Sequence, residues 1–257
     1  MGSASETFAV RAFGEQAQSR DVMLERQLAW YREVLPLVDE RIIDAGANEG
    51  LVSEFFATVN DQRNRLWSVE PLAENVAAIR ARVSTHNAEA RWAVVECAVS
   101  SQHGRATMKL GASEGTARNS TLLAAGAARS GDLREVETRT LAEICADATV
   151  VKLDIEGHEY EVIEQALSDK PFAHSVKAWA IELHERGSRP VAPFFSMLRR
   201  AGYRVFGAGK SRKDPTGPWL TAEVPREFAW SMVAPAKGAD GRDVRVIHVV
   251  ALGGGAS

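Results

Sequence analysis

Apolar residues between Arg20 and Val38 recur at helical spacing: Met23, Leu24, Leu28, Trp30, Tyr31, Val34, Leu35 and Val38. That spacing predicts an amphipathic helix that packs on the rest of the chain and ends near Pro36. From residue 41 the rhythm changes. Short apolar runs at Arg41–Ala45, Leu66–Val69, Trp92–Val95, Thr149–Asp154 and Ala178–Leu183 predict strands. Between them lie helical patterns at Glu49–Val59, Leu72–Thr85, Glu159–Leu167 and Val191–Ala201. Such alternation marks βαβ units and a parallel sheet. Further strands are predicted at Ala106–Leu110, Tyr203–Phe206 and Val244–Leu252. Gly111 to Gly131 is rich in Gly, Ala and Ser, too small and polar for a core element, and reads as a long functional or disordered loop.

The expected fold is α/β: a doubly wound, seven-stranded, mostly parallel sheet, with five strands in βα order and a hairpin at one edge. The expected organisation is an N-terminal extension over 1–40 with one amphipathic helix, a main domain over 41–252 and a flexible tail over 253–257.

Composition narrows the partners. A chain of 257 residues can bury a sizeable core. Its 31 Lys and Arg against 34 Asp and Glu leave a net charge of −3, which argues against nucleic acid as the main partner. The basic stretch Lys210-Ser211-Arg212-Lys213 sits among Gly and Pro and reads as a solvated loop. Cys97 and Cys145 cannot build a disulfide framework and read as small core residues in a reducing compartment. The opening residues show no basic region followed by an apolar run, and no apolar stretch reaches membrane-spanning length. The cytoplasm is the expected compartment, with no membrane partner, and a homo-oligomer stays open.

The chemistry begins at Ile42-Ile43-Asp44-Ala45-Gly46-Ala47-Asn48-Glu49-Gly50, where an apolar strand runs into a glycine-containing turn and then a helix. Gly46 lets the backbone approach a ligand, and Gly50 allows close packing at the helix start. Glu70 stands at the end of the second strand, where a carboxylate can accept both ribose hydroxyls of an adenosine. Dinucleotide-binding turns carry three glycines and rest a pyrophosphate on the helix N-terminus. Here there are two, spaced Gly-x-x-x-Gly, and Asp44 precedes the first. A carboxylate there repels a pyrophosphate and suits an ammonium or sulfonium; S-adenosyl-L-methionine carries both. Cofactor contacts are expected from Asp44, Gly46, Asn48, Gly50 and Glu70, with the adenine near Cys97 at the end of the third strand.

The turn Asp44–Gly50 resembles the first motif of the FkbM methyltransferases. Glu70-Pro71 with Asn75, Asn119-Ser120-Thr121-Leu122, the segment Val151-Lys152-Leu153-Asp154-Ile155-Glu156-Gly157-His158-Glu159, and Ile181-Glu182-Leu183-His184 resemble its other motifs. Their order and spacing agree from about residue 41 to 206. The resemblance implies a Rossmann-like, class I, S-adenosyl-L-methionine-dependent methyltransferase, usually acting on a hydroxyl of a sugar or secondary metabolite. The helix before residue 41 and the stretch after Phe206 are less characteristic, so the acceptor does not carry over.

In a doubly wound sheet, ligands sit beyond the carboxyl ends of the strands. Asp154 ends the fourth predicted strand, and Glu182 and His184 end the fifth. Methyl transfer to an oxygen needs the acceptor aligned with the methyl and relieved of its proton. His184 is the first candidate base, since an ordinary histidine pKa of about 6.5 leaves it largely neutral at pH 7, with Asp154 beside it. His158 is the next candidate and a potential acceptor contact, or it opens the helix that begins near Glu159. A second mechanism is open: Asp154 and Glu182, joined by His184, hold Mg²⁺, which binds the acceptor hydroxyl and lowers its pKa. Glu156 either joins them, caps the helix or binds Lys152. Asn119 and Ser120 touch the acceptor or close over the site, unless their loop is simply solvated. The expected partner is a small hydroxylated acceptor. The competing readings are a dinucleotide-dependent oxidoreductase and a non-catalytic nucleotide-binding module. The missing third glycine opposes the first, and the trio Asp154, Glu182 and His184 opposes the second.

Overall fold

The structure, a computed structural model, describes residues 20–59, 63–110, 121–123, 131–185, 189–209, 220–229, 236–237 and 243–253. The helices are α1 (Arg20–Val34), α2 (Leu51–Thr58), α3 (Ala73–Thr85), α4 (Leu141–Ile144), α5 (Glu159–Ser168), α6 (Lys170–Ser175) and α7 (Ala192–Arg200). The strands of the first half are β1 (Arg41–Ala45), β2 (Arg65–Val69), β3 (Trp92–Val95), β4 (Ala98–Val99), β5 (Gly104–Lys109), β6 (Thr121–Leu122) and β7 (Leu133–Arg139). Those of the second half are β8 (Val150–Leu153), β9 (Ala178–His184), β10 (Tyr203–Gly209), β11 (Leu220–Glu223), β12 (Ala236–Lys237), β13 (Asp243–Val244) and β14 (Val246–Gly253).

The main sheet runs β11-β10-β14-β9-β8-β1-β2-β3. Its five strands from β9 to β3 are parallel, and β14, β10 and β11 join antiparallel at the other side. The expected class and the edge hairpin are therefore present, with one correction. The sheet has eight strands rather than seven, because Leu220–Glu223 pairs with β10. That segment, Leu-Thr-Ala-Glu, is four residues long, too short for its alternation to mark a strand.

A second sheet, β4-β7-β5-β6, stands beside the end of β3. Its longest strand, Leu-Arg-Glu-Val-Glu-Thr-Arg, is mostly charged and buries only Val136 and Thr138, so hydrophobic patterning passed over it. The stretch expected to be irregular contributes β6 to this sheet. The small sheet has its own apolar cluster of Leu72, Ala98, Met108, Leu110, Leu122 and Val136.

Both faces of the main sheet are covered, as a parallel sheet requires. On one face Ile43, Val151, Trp179 and Leu183 pack with Tyr160, Phe194 and Phe195. On the other, Ile42, Val150, Ala180 and Val250 pack with Phe56 and with Trp30 and Tyr31 of α1. The N-terminal helix thus shares the core of the domain it precedes. It ends at Val34, two residues before Pro36 and so where expected, since a proline prevents continuation. Trp30 Nε1 donates to Thr221 Oγ1 at 2.9 Å, tying α1 to the edge strand β11. Among the described residues no helix is long and apolar enough to cross a membrane.

Candidate functional site

Three of the five residues after β1 are left-handed: Gly46 (φ 75°), Asn48 (φ 52°) and Gly50 (φ 82°). At Gly46 a Cβ would lie 1.8 Å from the backbone oxygen of Asp154, so a side chain is sterically excluded. Gly50 opens α2, and a Cβ there would press on Ile79 at 3.0 Å. The backbone donors of the turn are engaged. Gly46 N and Ala47 N donate to Val69 O at 3.0 and 3.1 Å, and Asn48 N donates to Glu70 Oε2 at 2.9 Å. A pyrophosphate needs such N–H groups aimed outward. These three cannot supply them.

Glu70 is the organiser of this end. Besides Asn48 N, it accepts from Leu72 N at 3.1 Å and Asn75 Nδ2 at 3.2 Å. Burial raises its pKa, and those three hydrogen bonds oppose the rise. A cleft with about 630 Å³ of empty space starts here. Gly46, Asn48, Glu70, Pro71 and Asn75 line its polar end, while Val69, Cys97, Ala98, Val99, Met108 and Leu122 form an apolar wall. Burial pushes the Cys97 thiol up to about 12, so it stays neutral. Asp154, Ile155 and Glu156 line the far end. The buried Oδ1 of Asn48 has no hydrogen-bond partner among the described residues.

Asp44 is not part of that wall. It is fully buried, with Oδ2 accepting from Ser53 Oγ at 2.6 Å and Oδ1 3.1 Å from Lys152 Nζ. Ser53 Oγ in turn accepts from Ser68 Oγ at 2.6 Å, and Ser68 from Trp92 Nε1 at 2.7 Å. The expected direct pull of Asp44 on a cationic ligand is therefore corrected. Lys152 balances its charge, and the case against a dinucleotide passes to the engaged turn amides.

Beyond the ends of β8 and β9 the structure gathers Asp154, Glu156, Glu159, Glu182 and His184. Ligand atoms of Asp154, Glu182 and His184 all lie within 4.8 Å of one another. His184 Nδ1 donates to Glu159 Oε1 at 2.9 Å, and its Nε2 lies 3.5 Å from Glu156 Oε2. Glu159, fully buried at the start of α5, also accepts from Gly157 N at 2.9 Å and Ile155 N at 3.3 Å. Burial works to lower the pKa of His184, but the hydrogen bond and charge of Glu159, with Glu156 and Asp154, raise it well above the ordinary value. The expectation of a neutral His184 at pH 7 is thus reversed. Burial pushes Glu156 up to about 7 and Glu182 up to about 8, each helped by the charge of Asp154 and opposed by His184. His248, across from Glu182 on β14, is pushed down to about 4 by burial and stays neutral.

Gly46, Asn48, Glu70, Cys97 and Asp154 therefore share one cleft. Gly50 packs beneath the turn, and Glu182 and His184 meet Asp154 without lining the cleft themselves. His158 occupies the helix-opening position, with Nε2 3.4 Å from Ser100 Oγ and Nδ1 3.9 Å from Glu161 Oε2. Asn119 and Ser120 lie outside the described residues. Sequence reasoning gave no role to Glu159, and it left Glu156 and Lys152 without a settled one. Their signal was available in the Lys-x-Asp-x-Glu-Gly-x-Glu spacing, which places four ionisable side chains around one strand end. Tyr31 was missed as well. Its buried phenol, accepting from Gln27 at 3.0 Å, feels the charges of Lys152, Glu182 and Asp154.

A family profile described as "Methyltransferase FkbM domain" matches residues 44–205. No curated protein matches the chain. Among solved structures, an FkbM methyltransferase from Methylobacillus flagellatus KT is similar at 19% identity and a TM-score of 0.50. The match covers 76% of this chain and 46% of that one, so the chain spans less than half of that protein's length. A precorrin-6y C5,15-methyltransferase from Geobacter metallireducens GS-15 is similar at 14% identity and a TM-score of 0.44, covering 96% of this chain and 95% of that one.

Proposed function

The chain belongs to the FkbM methyltransferase family, and on that premise we propose that it transfers a methyl group from S-adenosyl-L-methionine to a hydroxyl of a small sugar-like or secondary-metabolite acceptor. The observation that carries this reading is the single cleft joining Glu70 and the glycine turn to Asp154 and Glu156.

The residues present fit the cofactor. Glu70, with Oε2 engaged among the described residues by Asn48 N alone, keeps a lone pair for a ribose hydroxyl, the unpartnered Oδ1 of Asn48 offers an acceptor, and Gly46 keeps the approach clear. The wall of Cys97, Ala98, Met108 and Leu122 suits the adenine. When bound, the cofactor supplies an electrophilic methyl carbon on a sulfonium. The chain's part is to align the acceptor oxygen and take its proton. Glu156 suits proton removal: it lines the cleft, and a carboxyl at about 7 is matched to neutral pH. His184, held by Glu159, supplies a compensating positive charge at 3.5 Å, and Asp154 stands beside both. Glu156→Gln is expected to lower turnover about 10²–10⁴-fold and to leave cofactor affinity near its original value.

Thermal-shift titration tests the cofactor half. Stabilisation by S-adenosylhomocysteine is expected; stabilisation by NAD(P) alone would defeat the reading. A panel of hydroxylated acceptors, followed by release of S-adenosylhomocysteine, tests the acceptor half. A second reading, Mg²⁺ held by Asp154, Glu182 and His184, is favoured by the closeness of their ligand atoms. A divalent ion would replace the protons that this crowded group of carboxylates retains. Turnover that survives a chelator removes it.

A further inference from the structure

Lys152 is a buried cation to which the chemistry above assigns no task. It lies mid-sheet on β8, with 3% of its side chain exposed. Burial pulls a lysine toward neutrality, yet Asp44 and Asp154 more than offset that pull and keep it charged. An ammonium has three N–H donors and no acceptor. Three partners surround this one: Asp44 Oδ1 at 3.1 Å, the carbonyl oxygen of Gly46 at 3.1 Å and Asp154 Oδ2 at 3.7 Å. Asp44 serves as an anchor, since it is held from its other side by Ser53. The remaining partners belong to opposite ends of the cleft. Gly46 forms the turn under Glu70, and Asp154 faces the acceptor end. Elsewhere the two ends touch through backbone, at the place where any Cβ on Gly46 would strike the Asp154 carbonyl.

We propose that Lys152 is a positioning residue that sets the glycine turn and Asp154 at a fixed spacing, so that cofactor affinity depends on its N–H donors rather than on its bulk. The proposal rests on reading the cleft as the cofactor site. Loss of the ammonium releases the Gly46 carbonyl and lets the turn drift from the carbonyl of Asp154 it is built against.

The test compares dissociation constants for S-adenosylhomocysteine, measured by calorimetry alongside melting temperature. Removing Lys152 alone would strand the buried charge of Asp44 and risk unfolding, so the comparison is made in an Asp44→Asn background. There Lys152→Met removes every donor, while Lys152→Gln has nearly the same shape and keeps two. The Met variant is expected to bind about tenfold more weakly than Asp44→Asn alone, the loss of a charge-assisted hydrogen bond. The Gln variant is expected to stay within about threefold of Asp44→Asn. A Met variant that binds like Asp44→Asn, or a Gln variant as weak as Met, overturns the proposal, because Lys152 would then only fill space. Failure of the unaltered protein to bind S-adenosylhomocysteine would instead defeat the cofactor reading.

Discussion

Glu156 adopts a left-handed backbone, φ 57°, which costs a non-glycine residue about 1–3 kcal/mol. Its half-buried carboxyl also lies among other carboxylates. Both features favour function over stability at this position. Glu156→Gly should therefore raise the melting temperature of the ligand-free protein while removing turnover; a lower melting temperature would show that the side chain holds the loop. Gly46 shows the opposite dependence. Gly46→Ala forces a Cβ into the Asp154 carbonyl, and is expected to abolish S-adenosylhomocysteine binding in a calorimetric titration. The titrating cluster sets a pH response whose sign can be worked out. Glu156, Glu182 and His184 all have folded pKa values above their ordinary ones, so the folded state holds protons that the unfolded state has released. That stabilisation is complete below the ordinary values and fades as pH rises through the folded ones. His248 has the reverse shift, but above about pH 6.5 it is neutral in both states. Between about pH 6.5 and 8.5 the melting temperature should fall as pH rises, and Glu182→Gln should flatten the slope. A rising curve would mean that the cluster does not hold these protons.

Among the elements, α1 gives the clearest dependence of the site on a neighbour. Trp30 and Tyr31 are buried against the sheet, and Trp30 also bonds Thr221. Trp30→Ala should cost about 3–5 kcal/mol, read as a lower midpoint in urea denaturation. A change under about 1 kcal/mol would mean that α1 is only laid on the surface. The helix was legible because its apolar spacing is regular, and β1, β8 and α5 were legible because buried runs and a helical period leave strong patterns. Other elements left weaker marks. β7 alternates charged residues with few apolar ones, and β11 is a short edge strand whose partner lies more than ten residues back along the chain. At the site, the glycine turn and Glu70 could be read from residue type and spacing. The burial of Asp44 and the charge on His184 could not. Each depends on a partner, Lys152 or Glu159, whose direction is set by tertiary packing.

At the scale of the whole molecule, the two sheets differ in how deeply they are enclosed. Ile42, Ile43, Val150, Val151 and Leu153 in the central strands are entirely buried, whereas most of β7 is partly or fully exposed. Amide hydrogen exchange should be slowest in β1 and β8 and faster across β5 and β7. S-adenosylhomocysteine should slow it around Met108, which lines the cleft; equal rates in both sheets would contradict this division. Strands β3, β2, β1 and β8 of the main sheet are also joined, by way of α2, by the line of contacts from Trp92 through Ser68 and Ser53 to Asp44 and on to Lys152. An indole N–H can only donate, so every hydroxyl along the line must point the same way. Ser68 or Ser53 lost by itself leaves a donor on one side and an acceptor on the other unmatched in the interior. Inherited variation at positions 44, 53, 68, 92 and 152 should therefore travel as a block: an allele altered at one of them will persist only in a background already altered at its neighbour.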